Sequence, residues 1–507
     1  MTPSSKPSNK SKVFGRLIKR ARELKGLTQG EFAEALKTSQ SAVARIESGG
    51  QNLSIDILEK MSAILEQELM TPSNTLDFQI EGGHPLSGTI ETNTSKNGAI
   101  LMICAALLNH GTTILHHIPN IDEVYKYIDI AKSIGVSIKW IGDHSIEINA
   151  SGKLAIEKMD RSLVEQTRCM SFIGALMHHS KSFSFPHSGG CKMGNRTIIA
   201  HKYALESLGV KIKTLEDSYK IESGSAHGGT IILYESSDTG AITSLIAAAG
   251  IPQKTVIKFA PPNYQVRDVC YLLQKFGVTI EGIGTTTLTV TGVSHIDMTV
   301  EHSNSEDPIE AMFFIAAAIV TDATLTITRC SIDFLELELE KLKHMGLKYK
   351  MSKEYLSYNE RTRLVDLTLF PSKLTAPDEK LHSQPFPGIN VDNLPFFAAI
   401  ATKCKGTTLI HDWMWENRAI YFTELNKIGA SITLLDPFRV LIQGGSPLRG
   451  AHVTCPPALR PSAIILVAML SAQGTSVLHG VKSISRGYAD IAKRLNSIGA
   501  KIKILTS

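Results

Sequence analysis

Charged side chains stand just ahead of six nearly all-apolar segments in this sequence. Lys96-Asn97, Arg168 and Asp238 precede Ala99–Leu108, Met170–Met177 and Ala241–Gly250, and Asp307, Asp392 and Arg460 precede Ile309–Val320, Leu394–Thr402 and Ser462–Leu470. Helices apolar on every side are buried, and a helix N-terminus offers free N–H groups and positive potential, which suits anions. A second set of candidates lies in loops after short strands. It contains Cys191 and Arg196 in Ser188-Gly-Gly-Cys-Lys-Met-Gly-Asn-Arg, Arg418 in Glu416-Asn-Arg, and Arg486 in Ser485-Arg-Gly-Tyr. Guanidinium pairs bidentately with carboxylate and phosphate. Arg168, Arg196, Arg418, Arg460, Arg486 and Lys96 therefore suit one cleft that binds a ligand with two or three anionic groups. Any one of these arginines is as readily a surface charge, and their recurrence at matched positions selects the functional reading.

The elements that must position them repeat six times. Gly135, Gly209, Gly277, Gly346, Gly429 and Gly499, spaced by 74, 68, 69, 83 and 70 residues, each end an apolar helix and precede a short alternating strand. Such a site calls for a residue that tolerates positive φ. Upstream in each unit lies another strand, beginning near Thr112, Phe183, Thr255, Thr324, Thr407 and Thr475. The period is longer than a solenoid repeat or propeller blade and suits a whole αβ unit. The fold class is α/β.

Composition sets the bounds. The 507 residues favour two or three domains, and 43% hydrophobic with 20% charged residues describes a soluble globular chain of modest net charge, +5. Seven cysteines show neither metal spacing nor a disulfide framework, so a cytoplasmic setting is expected, with no metal and no cofactor. Residues 1–12 read as a disordered tail rather than a signal peptide. No stretch reaches the ~18 apolar residues of a membrane span.

Residues 13–70 form a small all-α domain, joined by a linker at 71–75. Leu27-Thr-Gln-Gly-Glu-Phe-Ala-Glu-Ala-Leu and Lys37-Thr-Ser-Gln-Ser-Ala-Val-Ala-Arg-Ile-Glu read as helix, turn, helix. Thr28 and Glu31 form a capping box, and Ala33, Leu36, Val43 and Ile46 form the seam between the helices. Ser39, Gln40, Ser41 and Arg45 then face outward, with Gln29 at the start of the first helix. Short polar groups followed by Arg are what a recognition helix presents to the major groove. This stretch resembles the Xre/Cro-type helix-turn-helix family, which implies double-stranded DNA as partner and a homodimer. A helical domain that binds protein or only stabilises its neighbour is the alternative.

From Leu76 onward the chain resembles the enolpyruvyl transferase family. The resemblance rests on Ser95-Lys-Asn, Gly189-Gly-Cys with Arg196 five residues on, Asp307-Pro-Ile-Glu, Leu459-Arg-x-Ser and Arg486-Gly-Tyr. Cys191 favours the branch that acts on UDP-N-acetylglucosamine for peptidoglycan synthesis over the shikimate-pathway branch. The resemblance implies two inside-out α/β barrel domains of three βαβαββ units each, one from 76–95 plus 305–507 and the other from 96–304. It implies transfer from phosphoenolpyruvate to a nucleotide-sugar hydroxyl, with release of phosphate. Carried over by position, Lys96, Arg196 and Arg486 bind phosphoenolpyruvate, with Arg418 and Arg460 supporting that end. Cys191, a thiol among cations and so of lowered pKa, protonates the methylene carbon, and Asp392 is the base on the acceptor hydroxyl. Asn97, Arg168, Arg196, His201, Asp238, Thr239, Gly240 and Asp392 hold the nucleotide sugar, and Asp307 orients groups at the domain junction.

Three departures from the family pattern bear on the acceptor. Thr197-Ile-Ile-Ala-His stands for Pro-Val-Asp-Leu-His, Ser236 occupies a lysine position, and Phe386-Pro-Gly-Ile-Asn-Val-Asp replaces the shorter Phe-Pro-Thr-Asp. The phosphoenolpyruvate half is nearly complete while the nucleotide half is altered. A working transferase fused to a DNA-binding module is therefore expected, the alternatives being a regulator whose transferase domain senses a ligand and a transferase with a different nucleotide acceptor.

Overall fold

The structure is a computed structural model describing residues 9–50, 57, 60, 61, 64, 65, 76–189 and 198–506. Residues Met1–Leu76 and Asp77–Leu505 form two compact units. In the first, helices span Asn9–Leu24, Gln29–Ala35 and Gln40–Glu47, so helix begins inside the stretch expected to be a tail. The expected linker at 71–75 lies outside the described residues. The capping box is present: Thr28 N–H donates to Glu31 at 2.7 Å and Glu31 N–H to Thr28 Oγ1 at 3.2 Å. Phe32, Ala33, Val43 and Ile46 pack with Ile18 and Ala21, and Leu36 lies at the edge of this core. Arg22 ties the helices together, its Nε donating to Glu47 at 2.6 Å and its guanidinium also reaching the Leu27 carbonyl.

In the second unit all six repeat glycines have positive φ, from +81° to +110°. The strand after each is present, at Ser137–Trp140, Lys211–Thr214, Thr279–Glu281, Lys348–Met351, Ser431–Asp436 and Lys501–Thr506. The six upstream strands are also present, from Thr112–His116 to Gly474–His479. One strand pattern recurs. Val300–Ser303 runs parallel to Thr112–His116, which pairs antiparallel with Ile146–Asn149, and that strand pairs with Ser137–Trp140. The last sheet is completed by the first strand of the unit: Leu76–Gly82 pairs with Gly474–His479 and neighbours Lys501–Thr506. The two ends of the unit are thereby fastened in one sheet.

Two separate hydrophobic cores result. One gathers residues from 78–90 and 309–502, with Tyr264 inserted, and the other residues from 99–300. Each lobe is centred on three of the apolar helices: Pro308–Val320, Leu394–Lys403 and Leu459–Ser471 in the first, Lys96–Ala106, Phe172–His179 and Asp238–Ala249 in the second. The chain passes between lobes on two paired segments, with Ser95 N–H donating to Ser305 O at 2.7 Å and Asp307 N–H to Asn93 O at 2.8 Å. Four of the apolar helices start before the apolar run does, and in three of them the residue just ahead of the helix is a side-chain cap. Ser95 and Ser237 accept from Gly98 N–H and Gly240 N–H, and Asp307 accepts from Ile309 N–H at 2.8 Å. Lys96, Asp238 and Arg460 therefore lie in the first helical turn rather than ahead of it.

Candidate active site

Where the two sets of helix N-termini face each other lies a cavity of about 670 Å³ lined from both lobes. The second lobe contributes Lys96, Asn97, Arg168, Asp238 and Thr239 of the expected residues, and the first contributes Asp392, Arg460 and Arg486. Charges separated by more than two hundred residues of sequence thus share one enclosure.

Asp392 is held by cations. Arg460 reaches its Oδ2 at 3.3 Å and Arg418 stands 3.7 Å from Oδ1. Burial works to raise this carboxyl, but Arg460, Arg418 and Lys96 outweigh it and keep it below the usual carboxylate range. The segment inserted before Asp392 folds into a turn that fixes it. Asn390 Oδ1 accepts from Asp392 N–H at 2.9 Å, while Asn390 N–H and Asn393 Nδ2 both donate to buried Glu338, at 3.0 and 2.9 Å. Arg460, second in its helix, also donates to Tyr488 Oη at 2.7 Å. Arg486 crosses between lobes to Glu123 at 3.0 Å.

Arg168 faces the cavity from the segment before Phe172–His179. Burial lowers its pKa, and Tyr127 and Glu235 act in the opposite sense. Asn97 donates to Tyr264 Oη at 3.0 Å. Asp238 is pushed up to about 6, chiefly by burial, with Asn263 opposing and Asp392 reinforcing the shift.

Three expected residues, Arg418, His201 and Gly240, lie behind the wall instead of in it. Arg418 is wholly buried, bonding Asp412 at 2.5 and 2.7 Å and the Val391 carbonyl at 2.7 Å. A guanidinium so engaged braces Asp392 and its loop. His201 is 2% exposed, with Nδ1 2.9 Å from Thr243 Oγ1 and Nε2 3.4 Å from Thr239 Oγ1. Burial takes its pKa down to about 3, so it is neutral and steadies Thr239. Gly240 is buried in the first turn of its helix. Cys191, Arg196 and Thr197 lie outside the described residues. The approach to their loop is fixed: Ser188 Oγ donates to Thr167 O at 2.8 Å and accepts from Cys169 N–H at 3.1 Å. Gly189 passes so close to Glu165 that a Cβ there would meet its carbonyl oxygen at 1.7 Å.

Glu123, Asn263, Gln265, Trp413 and Trp415 also line the cavity, and sequence reasoning missed them. All five follow an upstream strand: Trp413 and Trp415 in the segment after Thr407–His411, Asn263 as the cap of the helix Tyr264–Lys275, and Glu123 and Gln265 in the first turn of a helix. Applying that rule to every unit rather than three would have found Glu123, Asn263 and Gln265, whereas Trp413 and Trp415 lie beside Arg418 in a unit already read. In the helix-turn-helix unit, Gln40, Ser41 and Arg45 are exposed on one face. Ser39 caps the recognition helix through Ala42 N–H at 3.2 Å, and Gln29 is bonded to Glu47 at 2.8 Å. Among the described residues no helix is long and apolar enough to cross a membrane, and no cluster of His, Cys, Asp or Glu is arranged to hold a metal.

Residues 80–495 match the family profile of EPSP synthase (3-phosphoshikimate 1-carboxyvinyltransferase), and residues 18–69 match a helix-turn-helix profile. A UDP-N-acetylglucosamine 1-carboxyvinyltransferase of Bradyrhizobium diazoefficiens is 31% identical over 429 residues, covering 84% of this chain and 98% of the relative. One of the same name from Bacteroides thetaiotaomicron is 32% identical over 440 residues, covering 84% and 99%. The enolpyruvyl transferase NikO from Streptomyces tendae superposes with a TM-score of 0.74 at 22% identity, over 86% of this chain and all of that one. EPSP synthase from Acinetobacter baumannii does so with 0.66 at 18%, over 85% and 100%.

Proposed function

The chain belongs to the enolpyruvyl transferase family, and from that premise we propose that it transfers the enolpyruvyl group of phosphoenolpyruvate to a hydroxyl of UDP-N-acetylglucosamine or a related nucleotide sugar, releasing phosphate. The observation that carries this reading is the meeting of Lys96, Arg168, Arg460 and Arg486 with one ionised carboxylate, Asp392, in a single cavity between two cores. The acceptor rests on the names of full-length relatives at 31–32% identity.

Addition of a hydroxyl across the phosphoenolpyruvate double bond places cationic character on C2 beside a phosphate and a carboxylate. Fixed ammonium and guanidinium groups hold those anions without reorganising as the charge develops. Lys96, Arg486 and Arg196 hold phosphoenolpyruvate, Arg460 completes that end, and Arg418 acts from behind through Asp392. Cys191 delivers the proton to the methylene carbon. Asp392, kept ionised by its cations, takes the proton of the acceptor hydroxyl. Asn97, Arg168, Asp238 and Thr239 hold the acceptor, with His201 supporting Thr239. The contributing groups are divided between two lobes, so an acceptor that touches both favours the closed form and strengthens phosphoenolpyruvate binding by linkage.

The front unit binds double-stranded DNA through Gln40, Ser41 and Arg45, with Gln29 and Ser39 at its margins, and does so as a homodimer. Phosphate release from phosphoenolpyruvate, measured against a panel of UDP-sugars and other nucleotides, tests the catalytic reading. Release that depends on one nucleotide sugar supports it, and release with none removes it.

A further inference from the structure

Lys96 and Asn97 stand on a helical turn that is fixed from behind the cavity. Buried Ser95 caps that turn by accepting from Gly98 N–H at 3.0 Å. It is also tied to the returning crossover segment. Its N–H donates to Ser305 O at 2.7 Å, and its carbonyl accepts from Asn304 Nδ2 at 2.8 Å. Asn304 and Asp268 press on the same turn, so closely that a Cβ on Gly98 would lie 2.6 Å from Asn304 Oδ1 and 3.0 Å from Asp268 Oδ2. Asp268 in turn accepts from Ser305 Oγ at 2.5 Å. Packing this close transmits displacement, so the turn that carries Lys96 moves only with residues 304 and 305.

A hairpin of the first lobe grips this assembly. Tyr355–Leu356 pairs antiparallel with the strand Arg363–Phe370, and Ser357 N–H donates to Thr362 O at 2.9 Å across the turn. At the tip, the Tyr358 ring stacks on the His117 imidazole of the second lobe, with centroids 4.1 Å apart and planes inclined by 6°. The Arg329 guanidinium lies 3.9 Å over the same tyrosine ring. Beside it, Asn359 Nδ2 donates to Asp268 Oδ1 at 3.3 Å. His117, at φ +57°, gives its carbonyl to Thr94 Oγ1 and Asn304 Nδ2, and Arg329 donates to Glu306 Oε1 at 3.0 Å. The hairpin thus reaches both crossover segments, while Tyr358, Asn359, His117 and Asp268 all lie outside the cavity lining.

Resting on the assignment of Lys96 to phosphoenolpyruvate, we infer that Tyr358 and Asn359 are positioning residues for Lys96. The hairpin of one lobe, clasped on His117 and Asp268 of the other, holds the crossover segments and through them the turn that presents Lys96 to the ligand. Tyr358 is 53% exposed, so its ring joins the lobes without filling either core. Stacking between rings and a cation over a ring each change an equilibrium constant several-fold. A contact passes on to binding no more than its own worth, which sets the expected effect on phosphoenolpyruvate affinity at about three- to tenfold.

Tyr358→Ala removes the stack and Tyr358→Phe keeps it, so the pair isolates the clasp. Calorimetry of phosphoenolpyruvate on the full chain should show the alanine variant binding about three- to tenfold more weakly and the phenylalanine variant within about twofold of native. Native affinity in the alanine variant overturns the inference, and so does an equal loss in both variants, since the ring is then not the cause. Amide hydrogen exchange gives a second reading that needs no ligand. Exchange at Lys96–Gly98 should be several-fold faster in Tyr358→Ala alone, with rates across the distant helix Asp122–Ser133 unchanged. If the native protein does not bind phosphoenolpyruvate, the assignment of Lys96 falls and exchange decides the clasp by itself. Native exchange rates at Lys96–Gly98 in the alanine variant, or acceleration spread equally over Asp122–Ser133, would then overturn it.

Discussion

Replacing Arg418 by methionine should separate stability from catalysis in the brace behind Asp392. The substitution leaves the Asp412 carboxylate, 0% exposed, without its cation. It removes two bonds to Asp412 at 2.5 and 2.7 Å and one to the Val391 carbonyl at 2.7 Å. Breaking a buried ion pair from one side costs about 3–5 kcal/mol, and the orphaned carbonyl adds roughly 1 kcal/mol. Denaturant unfolding followed by tryptophan fluorescence measures the loss cleanly, because Trp140, Trp413 and Trp415 all lie in the unit Asp77–Leu505. Adding Asp412→Asn removes the stranded charge and should recover most of the stability. Turnover should stay depressed in both variants, since Asp392 has lost the guanidinium 3.7 Å away and the anchor on its neighbour Val391. A single variant that loses less than ~1 kcal/mol, or a double variant no more stable than the single, would refute the charge-bracing argument.

Other outcomes follow from the same structure. Burial pushes the carboxyls of Asp238, Asp268 and Asp307 up to about 6, 7 and 6 from an ordinary 3.8. The native state therefore holds protons that the unfolded chain has released, and their contribution to stability is largest at low pH and declines as pH rises through 4 to 7. Unfolding free energies measured across that range should show the decline, with a gentler slope in Asp268→Asn; identical profiles would contradict it. Cys191→Ala should abolish phosphate release while Cys191→Asp retains it, because the position needs a proton donor; undiminished turnover in the alanine variant removes Cys191 from the mechanism. Deleting residues 1–72 should leave transfer intact, and unfolding of the remainder would defeat the modular reading. In the full chain Arg45→Ala should weaken DNA binding and reduce the salt slope by about one charge, and an unchanged salt slope would place Arg45 off the phosphate backbone.

The periodic parts of the molecule were legible because the backbone rule behind them is local. A glycine that must adopt positive φ and an alternating strand after it announce themselves wherever they occur, and all six units were placed by that signal. Helix starts were read late, since Ser95, Ser237 and Asp307 end the apolar pattern while serving as caps. Lys96, Asn97, Arg168, Asp238, Asp392, Arg460 and Arg486, picked out by their repeat positions, line one cavity together with Thr239, which only the family resemblance had named. Arg418 and His201 do not reach it, because burial and pairing depend on neighbours that no spacing rule reveals: Asp412 captures the one, Thr243 and Thr239 the other. Glu123 and the Asn263–Gln265 segment were missed through incomplete use of the repeat. The inserted turn before Asp392 could not be anticipated, as its anchor Glu338 lies more than fifty residues away in sequence.

The central claim is that this cavity performs chemistry rather than merely sensing ligands, and running the reaction in deuterium oxide tests it most directly. Protonation of the methylene carbon followed by loss of a proton from the same carbon must exchange hydrogen with solvent. Mass spectrometry of the full chain incubated with phosphoenolpyruvate and UDP-N-acetylglucosamine should find an enolpyruvyl product carrying deuterium in its methylene group, with one phosphate released per product. Binding of both compounds with no product, no phosphate and no deuterium in recovered phosphoenolpyruvate would contradict the claim and identify the cavity as a sensor.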